Sequence, residues 1–179
     1  MVGTHLLRLW RHRWIDEHAV RRVLPADMLE RLRARVAASE QRHTGQVRLC
    51  IEGGLPLSYL WRALHGRVPL ARIVRERALM MFSKLGVWDT ERNNGVLIYL
   101  LMAERAIELV ADRGIARAVE PALWDAQVRR LGEHLRAGCF EDGLTQALEE
   151  VSAVLVAHFP RDSAAAGADN ELPDEPVVL

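Results

Sequence analysis

The chain has only two cysteines, and nothing in their spacing makes them a pair. Cys50 and Cys139 form no CxxC motif and no longer cysteine pattern, so the sequence predicts neither a disulfide framework nor a zinc knuckle. Long apolar runs are missing as well, because no stretch approaches the roughly 18 apolar residues of a membrane span. The first residues lack the apolar core and cleavage site of a signal peptide. We therefore expect the protein in a reducing cytoplasm.

The sequence also lacks the motifs of common phosphotransfer and hydrolytic enzymes. Neither cysteine begins a C-x5-R loop, no DxDxT motif is present, and no glycine-rich loop would cradle a phosphate. Charge of one sign is not in excess, because Lys and Arg together number 24 and so do Asp and Glu. No field over the whole molecule would attract nucleic acid, and we expect no nucleic-acid partner.

Residues 1–24 form a basic arm that contains tryptophan. Five arginines in this arm face only two acidic residues. Leu6, Trp10 and Trp14 recur at helical spacing, which predicts an amphipathic helix with a cationic side. Residues 6–15 would then either make weak contact with a membrane surface or fold back over the protein's own domain.

Hydrophobic periodicity in residues 25–160 predicts one α/β domain, with the order helix, strand, helix, strand, strand, helix, helix. Gln46–Glu52 alternates as a strand covered on one side does, whereas Val96–Met102 is uniformly apolar, as a strand buried on both faces is. A helical crossover makes these two strands parallel. We predict a three-layer α/β/α sandwich around a small mixed sheet. Residues 161–179 are acidic and contain small residues and proline, so we expect them to be disordered.

A predicted hairpin brings polar residues to one edge of this sheet. If Ala103 and Glu104 turn the chain, Arg105–Ala111 forms an antiparallel strand and Gly95 faces Asp112. The parallel first strand begins at the same edge. The other polar residues expected there are Glu40, His43, Thr44, Gln46, Asp89, Glu91, Asn93 and Asn94.

The oxygen donors of this edge suggest a cation site. Asp89, Glu91, Asn93 and Asp112 carry the hard oxygen ligands that Ca²⁺ and Mg²⁺ prefer, and we predict them as the metal ligands. The spacing of the first three is similar to the start of an EF-hand loop, but the glycine comes one place late, at Gly95. The alternative is an ordinary loop in which these acids cap turns and pair with arginines.

Several segments together resemble the TPM domain family. They are SEQRHTGQVRL, RERALMMFSKLGVWDTERNNGVLIYLL, ELVADRGI and GCFEDGLTQAL. This family includes bacterial YgcG-like proteins and a thylakoid-lumen acid phosphatase. The resemblance implies an α/β/α sandwich and, for some members, divalent-cation binding or phosphatase activity. It directs attention to Asp89, Asn93, Asn94 and Asp112.

The chain departs from the family pattern in two ways. Where many relatives read Gly-Glu at the start of the first strand, this chain reads Gly45 and Gln46, so one carboxylate is missing. Many relatives also carry a secretion signal and a membrane anchor, and this chain is more similar to the short soluble subgroup.

Two functions follow as hypotheses. The first is an accessory module that binds Ca²⁺, Mg²⁺ or a protein partner in a bacterial membrane-linked process, either in the cytoplasm or peripherally at the inner membrane. The alternative is a metal-dependent acid phosphatase that hydrolyses phosphomonoesters. In that case Asp112 and Asp89 would hold a metal-bound water, with His43 or Glu40 as the base. No organic cofactor is indicated.

Overall fold

The computed structural model of the chain describes residues 12, 17–65, 68–120, 122, 124, 126, 128, 132, 137–161 and 170–179. The strands are β1 (Gln46–Glu52), β2 (Gly95–Leu101), β3 (Ala106–Ala111) and β4 (Val177–Val178). The helices are α1 (Glu17–Val23), α2 (Ala26–Glu40), α3 (Leu57–His65), α4 (Leu70–Lys84), α5 (Arg113–Ala118) and α6 (Phe140–His158). The described residues between 122 and 137 are helical, as the predicted element order requires.

The strands form one mixed sheet in the order β3-β2-β1-β4. β1 runs parallel to β2, with Gln46 opposite Gly95. β2 runs antiparallel to β3, with Val96 opposite Ala111. Apolar layers cover both faces of the sheet, so the predicted α/β sandwich with a small mixed sheet is confirmed.

The hairpin keeps the predicted register but turns differently. A 3-10 turn over Met102–Glu104 replaces the two-residue turn, and β2 ends at Leu101. Arg105 closes this turn in the left-handed region, with φ of 49°, and its N–H donates to the Met102 carbonyl. A non-glycine residue at positive φ gives no clear sequence signal, which is why the turn type was not predictable.

Alternation along β2 divides the core into two layers. Val96 and Ile98 face the layer that α2 and α6 cover, where Leu155 is fully buried. Leu97 and Tyr99 face the layer that α4 covers. A strand covered on both faces is expected to be apolar at every position, which explains the uninterrupted apolar run of β2.

Both ends of the chain differ from the sequence expectation. Val20 and Leu24, placed in the basic arm, are fully buried in the layer under α2. Residues 1–11 and 13–16 lie outside the described residues, so the predicted contacts of the arm stay predictions. The disorder expected for residues 161–179 does not hold for the last ten, because β4 pairs with β1 and Leu172 is 7% exposed. Leu172, Val177 and Val178 pack against the two core layers and fix this segment, although it is acidic and contains two prolines.

Candidate functional site

Three segments meet where β1 and β2 begin and β3 ends, and we call this the polar edge. The Gln46 N–H donates to the Asn94 carbonyl over 3.2 Å, and the Asp112 N–H donates to the Gly95 carbonyl over 2.9 Å. The Asn94 side chain, fully buried, donates to the Thr44 carbonyl over 3.0 Å. The structure thus brings these residues together as the register requires.

The loop before β2 is tightly organised around Thr90. The Asn94 N–H donates to the Thr90 hydroxyl over 3.0 Å, and the Asn93 N–H donates to the Thr90 carbonyl over 3.1 Å. Asn93 has a φ of 52°, a conformation that asparagine tolerates better than most residues. The Asn93 carbonyl in turn accepts from the Gly114 N–H over 2.9 Å, which joins the loop to α5.

Asp112 is the carboxylate at the centre of the polar edge. It is 5% exposed and occupies the N-cap of α5, where its Oδ1 accepts from the Arg113 N–H over 2.6 Å. Its Oδ2 is buried and has no hydrogen-bond partner among the described residues. A buried acceptor without a partner costs roughly 1–3 kcal/mol, and more for a charged group, so this oxygen calls for a specific explanation.

The other two predicted ligand carboxylates lie in solvent. Asp89 and Glu91 are exposed, and their backbone N–H groups donate to the Gly86 carbonyl and to the Glu171 carboxylate, each over 2.9 Å. Across the part of the chain that the structure describes, no three His, Cys, Asp or Glu side chains are grouped as a metal site needs. The structure therefore holds the backbone of the loop beside Asp112 without assembling a ready cluster of carboxylates.

His43 is built into the fold as a neutral imidazole. It is fully buried, with Nδ1 3.0 Å from the Gly45 carbonyl oxygen and with no hydrogen-bond partner for Nε2 among the described residues. Burial lowers the pKa of His43 to about 4; the charges of Arg42 and Arg161 act in the same direction, and the Gly45 hydrogen bond opposes them. A backbone bridge to Pro160 ties His43 to the end of α6. This environment suits packing better than proton transfer to a substrate.

Glu40 lies on the side of β1 that faces away from β2 and Asp112. It is 6% exposed and its Oε1 accepts from the Val47 N–H over 2.8 Å. The pKa of Glu40 is raised to about 7, mainly by burial and also by the charge and hydrogen bond of Asp174. The Val47 hydrogen bond and the Arg161 charge act in the opposite direction. The side chain borders a cavity of about 170 Å³ that Arg161 and Asp174 also line. The sequence did not predict a place for Asp174 beside Glu40, because the acidic composition of its segment indicated disorder.

A second buried polar group lies at the far end of β1. Glu52 accepts from the Arg77 guanidinium through both oxygens, over 2.5 and 2.8 Å, and from the Tyr99 hydroxyl over 2.6 Å. All three residues are buried. Because the carboxylate is fully paired, we interpret this group as part of the core between the sheet and α4.

The fold and the polar edge together define a small α/β/α domain whose strand ends carry an acid and amides. A family model described as the TPM domain matches residues 20–154, and the chain belongs to the TPM domain family. No curated protein matches the chain. Among solved structures, the NMR structure of the BA42 protein from the psychrophilic bacterium Bizionia argentinensis is similar, with a TM-score of 0.71 and 22% identity over 87% of this chain and 95% of that one.

Within the residues that the structure covers, none of the helices combines the length and apolarity that crossing a bilayer takes.

Proposed function

We propose that this TPM domain is a module that binds a divalent cation at the polar edge, with Asp112 as its central ligand. Asp112 would contribute Oδ2, and the exposed carboxylates of Asp89 and Glu91 would close over the ion from the adjacent loop, with Asn93 beside them. Oxygen ligands of this kind suit Ca²⁺ and Mg²⁺.

The buried Oδ2 of Asp112 is the observation that carries this proposal. One oxygen of the carboxylate is used by the N-cap hydrogen bond, and the other is buried without a partner among the described residues. A cation would satisfy that oxygen and offset the cost of burying it. Exposed ligands on a loop would give a weak site that orders when the ion binds.

A calcium or magnesium titration followed by NMR tests the proposal. We expect saturable amide shifts that are confined to residues 89–95 and 112–114. Asp112→Asn keeps an N-cap side chain and should therefore stay folded. It removes the charged ligand, and we expect affinity to fall at least about tenfold.

Asp142→Asn is the matched control, because Asp142 is an exposed acid in the first turn of α6. Its affinity should equal that of the wild type. If up to about 10 mM of either ion produced no saturable shifts, or if both variants lost affinity equally, cation binding at this edge would be wrong.

A metal-dependent acid phosphatase remains the second candidate. It requires a general base within reach of a water on the metal ion, and the geometry meets this requirement poorly. The raised pKa of Glu40, about 7, suits a general base better than that of the buried His43. However, β2 lies between β1 and β3, so two strand spacings, about 10 Å, separate Gln46 from Asp112. Glu40 contacts β1 at Val47 and would not reach a water on an ion held by Asp112.

Hydrolysis of a phosphomonoester such as p-nitrophenyl phosphate, with and without Mg²⁺, decides between the two. Mg²⁺-dependent turnover that is lost in Asp112→Asn would establish the enzyme. Cation binding without turnover would support a binding module, whose partner and membrane-linked process we infer from the family resemblance.

A further inference from the structure

Residues 170–179, which we call the tail segment, lie along the outer edge of β1. Strand β4 within this segment pairs in parallel with Cys50 and Ile51. Leu179 extends the pairing, because its N–H donates to the Ile51 carbonyl over 2.9 Å and its carbonyl accepts from the Gly53 N–H over 2.8 Å. This is the way in which an extended peptide adds to an exposed sheet edge.

Side chains of β1 recognise the part of the tail segment that precedes β4. The Gln46 Oε1 accepts from the N–H groups of Glu171 and Leu172, each over 3.0 Å. The Leu172 side chain is 7% exposed and packs into the apolar layer on the α4 side. The Arg48 guanidinium donates to the Pro173 carbonyl. The edge therefore provides an apolar contact for the Leu172 side chain, and both its backbone and its side chains supply hydrogen bonds to an extended chain.

Charge along this edge is complementary to an acidic segment. Arg33 and Arg48 both interact favourably with the carboxylates of Asp174 and Glu175. Glu40 is an opposing acid that faces Asp174, and burial holds the pKa of Glu40 at about 7. The negative charge of Glu40 is therefore only partly developed near neutral pH. Because Glu30 already pairs with Arg33, Arg48 is the main basic side chain that favours an acidic segment.

The tail segment uses only part of the edge. β4 has two residues, whereas β1 has seven. Pro173 has no N–H to donate to β1, and Pro176, whose N position points away from β1 in this register, holds its φ at about −65°, so neither residue favours a longer strand. A segment without these prolines would adopt the extended strand conformation more readily and would bind more tightly.

We propose that the outer edge of β1 is a docking site for an extended acidic segment of a partner protein, which the tail segment occupies as a weak intramolecular placeholder. The partner segment adds as a parallel strand. It carries a leucine-sized apolar residue at the place of Leu172 and acids at the places of Asp174 and Glu175. This site adjoins the cation site, because the Glu171 carboxylate accepts from the Glu91 N–H, but the docking proposal does not depend on cation binding.

Labelled peptides and the full chain test the proposal. The first peptide has the sequence of residues 170–179 with both ends blocked, and the second carries Pro173→Thr and Pro176→Thr. The full-length variant Leu172→Asp/Val177→Asp removes the anchors of its own tail. By fluorescence anisotropy we expect this variant to bind the first peptide at least about tenfold tighter than the wild type does, because the tethered competitor is gone.

The peptides also test the recognition itself. The threonine peptide should bind at least about threefold tighter than the first peptide, because threonine favours the extended conformation that both prolines restrict. A third peptide with Asp174→Lys and Glu175→Lys should lose most of its affinity. Absence of saturable binding to the variant chain, or equal affinity for all three peptides, would overturn the proposal.

The wild-type chain provides a second measurement should the variant fail to fold. Excess threonine peptide should shift the amide signals of Gly53 and Leu179 as the tail is displaced, while the β2–β3 ladder keeps its signals. Unchanged signals at about 100-fold excess of peptide would overturn the proposal. A dimer that the threonine peptide dissociates would assign the edge to a second copy of this chain and would overturn a separate partner.

Discussion

The backbone N–H of Asp112 donates to the carbonyl oxygen of Gly95 over 2.9 Å, one residue pair beyond the β2–β3 ladder. This hydrogen bond places the first turn of α5 level with the start of β2. The carboxylate of Asp112 is consequently fixed beside the loop that precedes β2. Any change that moves Gly95 also moves the central residue of the proposed cation site.

The substitution Gly95→Ala tests whether stability depends on the close approach of Val87, in the loop before β2, to Gly95. A Cβ at Gly95 would collide with the Val87 carbonyl and contact the Val87 side chain, so loop or strand must shift. We expect the free energy of unfolding to fall by about 3 kcal/mol in urea denaturation.

Gly86→Ala is the matched control for this substitution. Gly86 has a φ of 68°, and a Cβ there meets no atom within 4 Å. Its expected loss is about 1 kcal/mol, from backbone strain alone. Equal losses in the two variants would show that the close approach at Gly95 is unimportant.

The register was predictable from the sequence because two constraints act together. The apolar run of β2 fixed which strand is central, and the short link after it fixed the hairpin pairing. A slip of one residue would have turned every β3 side chain to the wrong face, so a small difference in the turn at Arg105 did not change the register.

The contribution of the tail segment could not be read from the sequence. The Glu171 N–H donates to Gln46 of β1, Asp174 lies beside Glu40 at the end of α2, and Leu172 between them is buried on the α4 side. A single leucine in an acidic stretch is no signal of such order. The burial of His43 was likewise hidden, because it depends on α6 covering the beginning of β1 from a distant part of the sequence.

His43 should make the fold sensitive to acid. Burial lowers the pKa of His43 to about 4 from 6.5, so the unfolded chain takes up the proton first. The stabilisation is complete above pH 6.5 and is lost as the pH falls through 4, by up to about 3 kcal/mol. In His43→Gln this part of the pH dependence should vanish, as measured by urea denaturation between pH 7 and 4. The exposed His158, changed to Gln, should leave the profile of the wild type intact.

Glu40 should have the opposite effect on stability over an overlapping pH range. Burial raises the pKa of Glu40 to about 7 from 4.5, so the folded chain holds the proton more tightly than the unfolded chain. Stability is therefore lost as the pH rises from 4.5 through 7, by up to about 3 kcal/mol. Glu40→Gln should be the more stable protein above pH 7, and the difference from the wild type should shrink towards pH 4.5. A constant difference across this range, or an equal change in the exposed control Glu149→Gln, would contradict the assignment.

Removing only one partner of the buried ion pair between Arg77 and Glu52 should strongly lower the free energy of unfolding. Arg77→Met leaves the Glu52 carboxylate, whose side chain is 5% exposed, with the Tyr99 hydroxyl as its remaining donor in this group. We expect the free energy of unfolding to fall by about 3–5 kcal/mol at pH 7, as measured by urea denaturation.

The double variant Arg77→Met/Glu52→Gln separates lost pairing from lost packing. With no charge left to bury, it should recover most of the stability that Arg77→Met loses. Arg72→Met is the surface control, because the side chain of Arg72 is 73% exposed in its pair with Glu76, and it should cost less than about 1 kcal/mol. If the double variant were as unstable as Arg77→Met, the arginine would stabilise the core through a contact other than its pair with Glu52, such as the guanidinium lying over the Tyr59 ring, 5.4 Å from the ring centre.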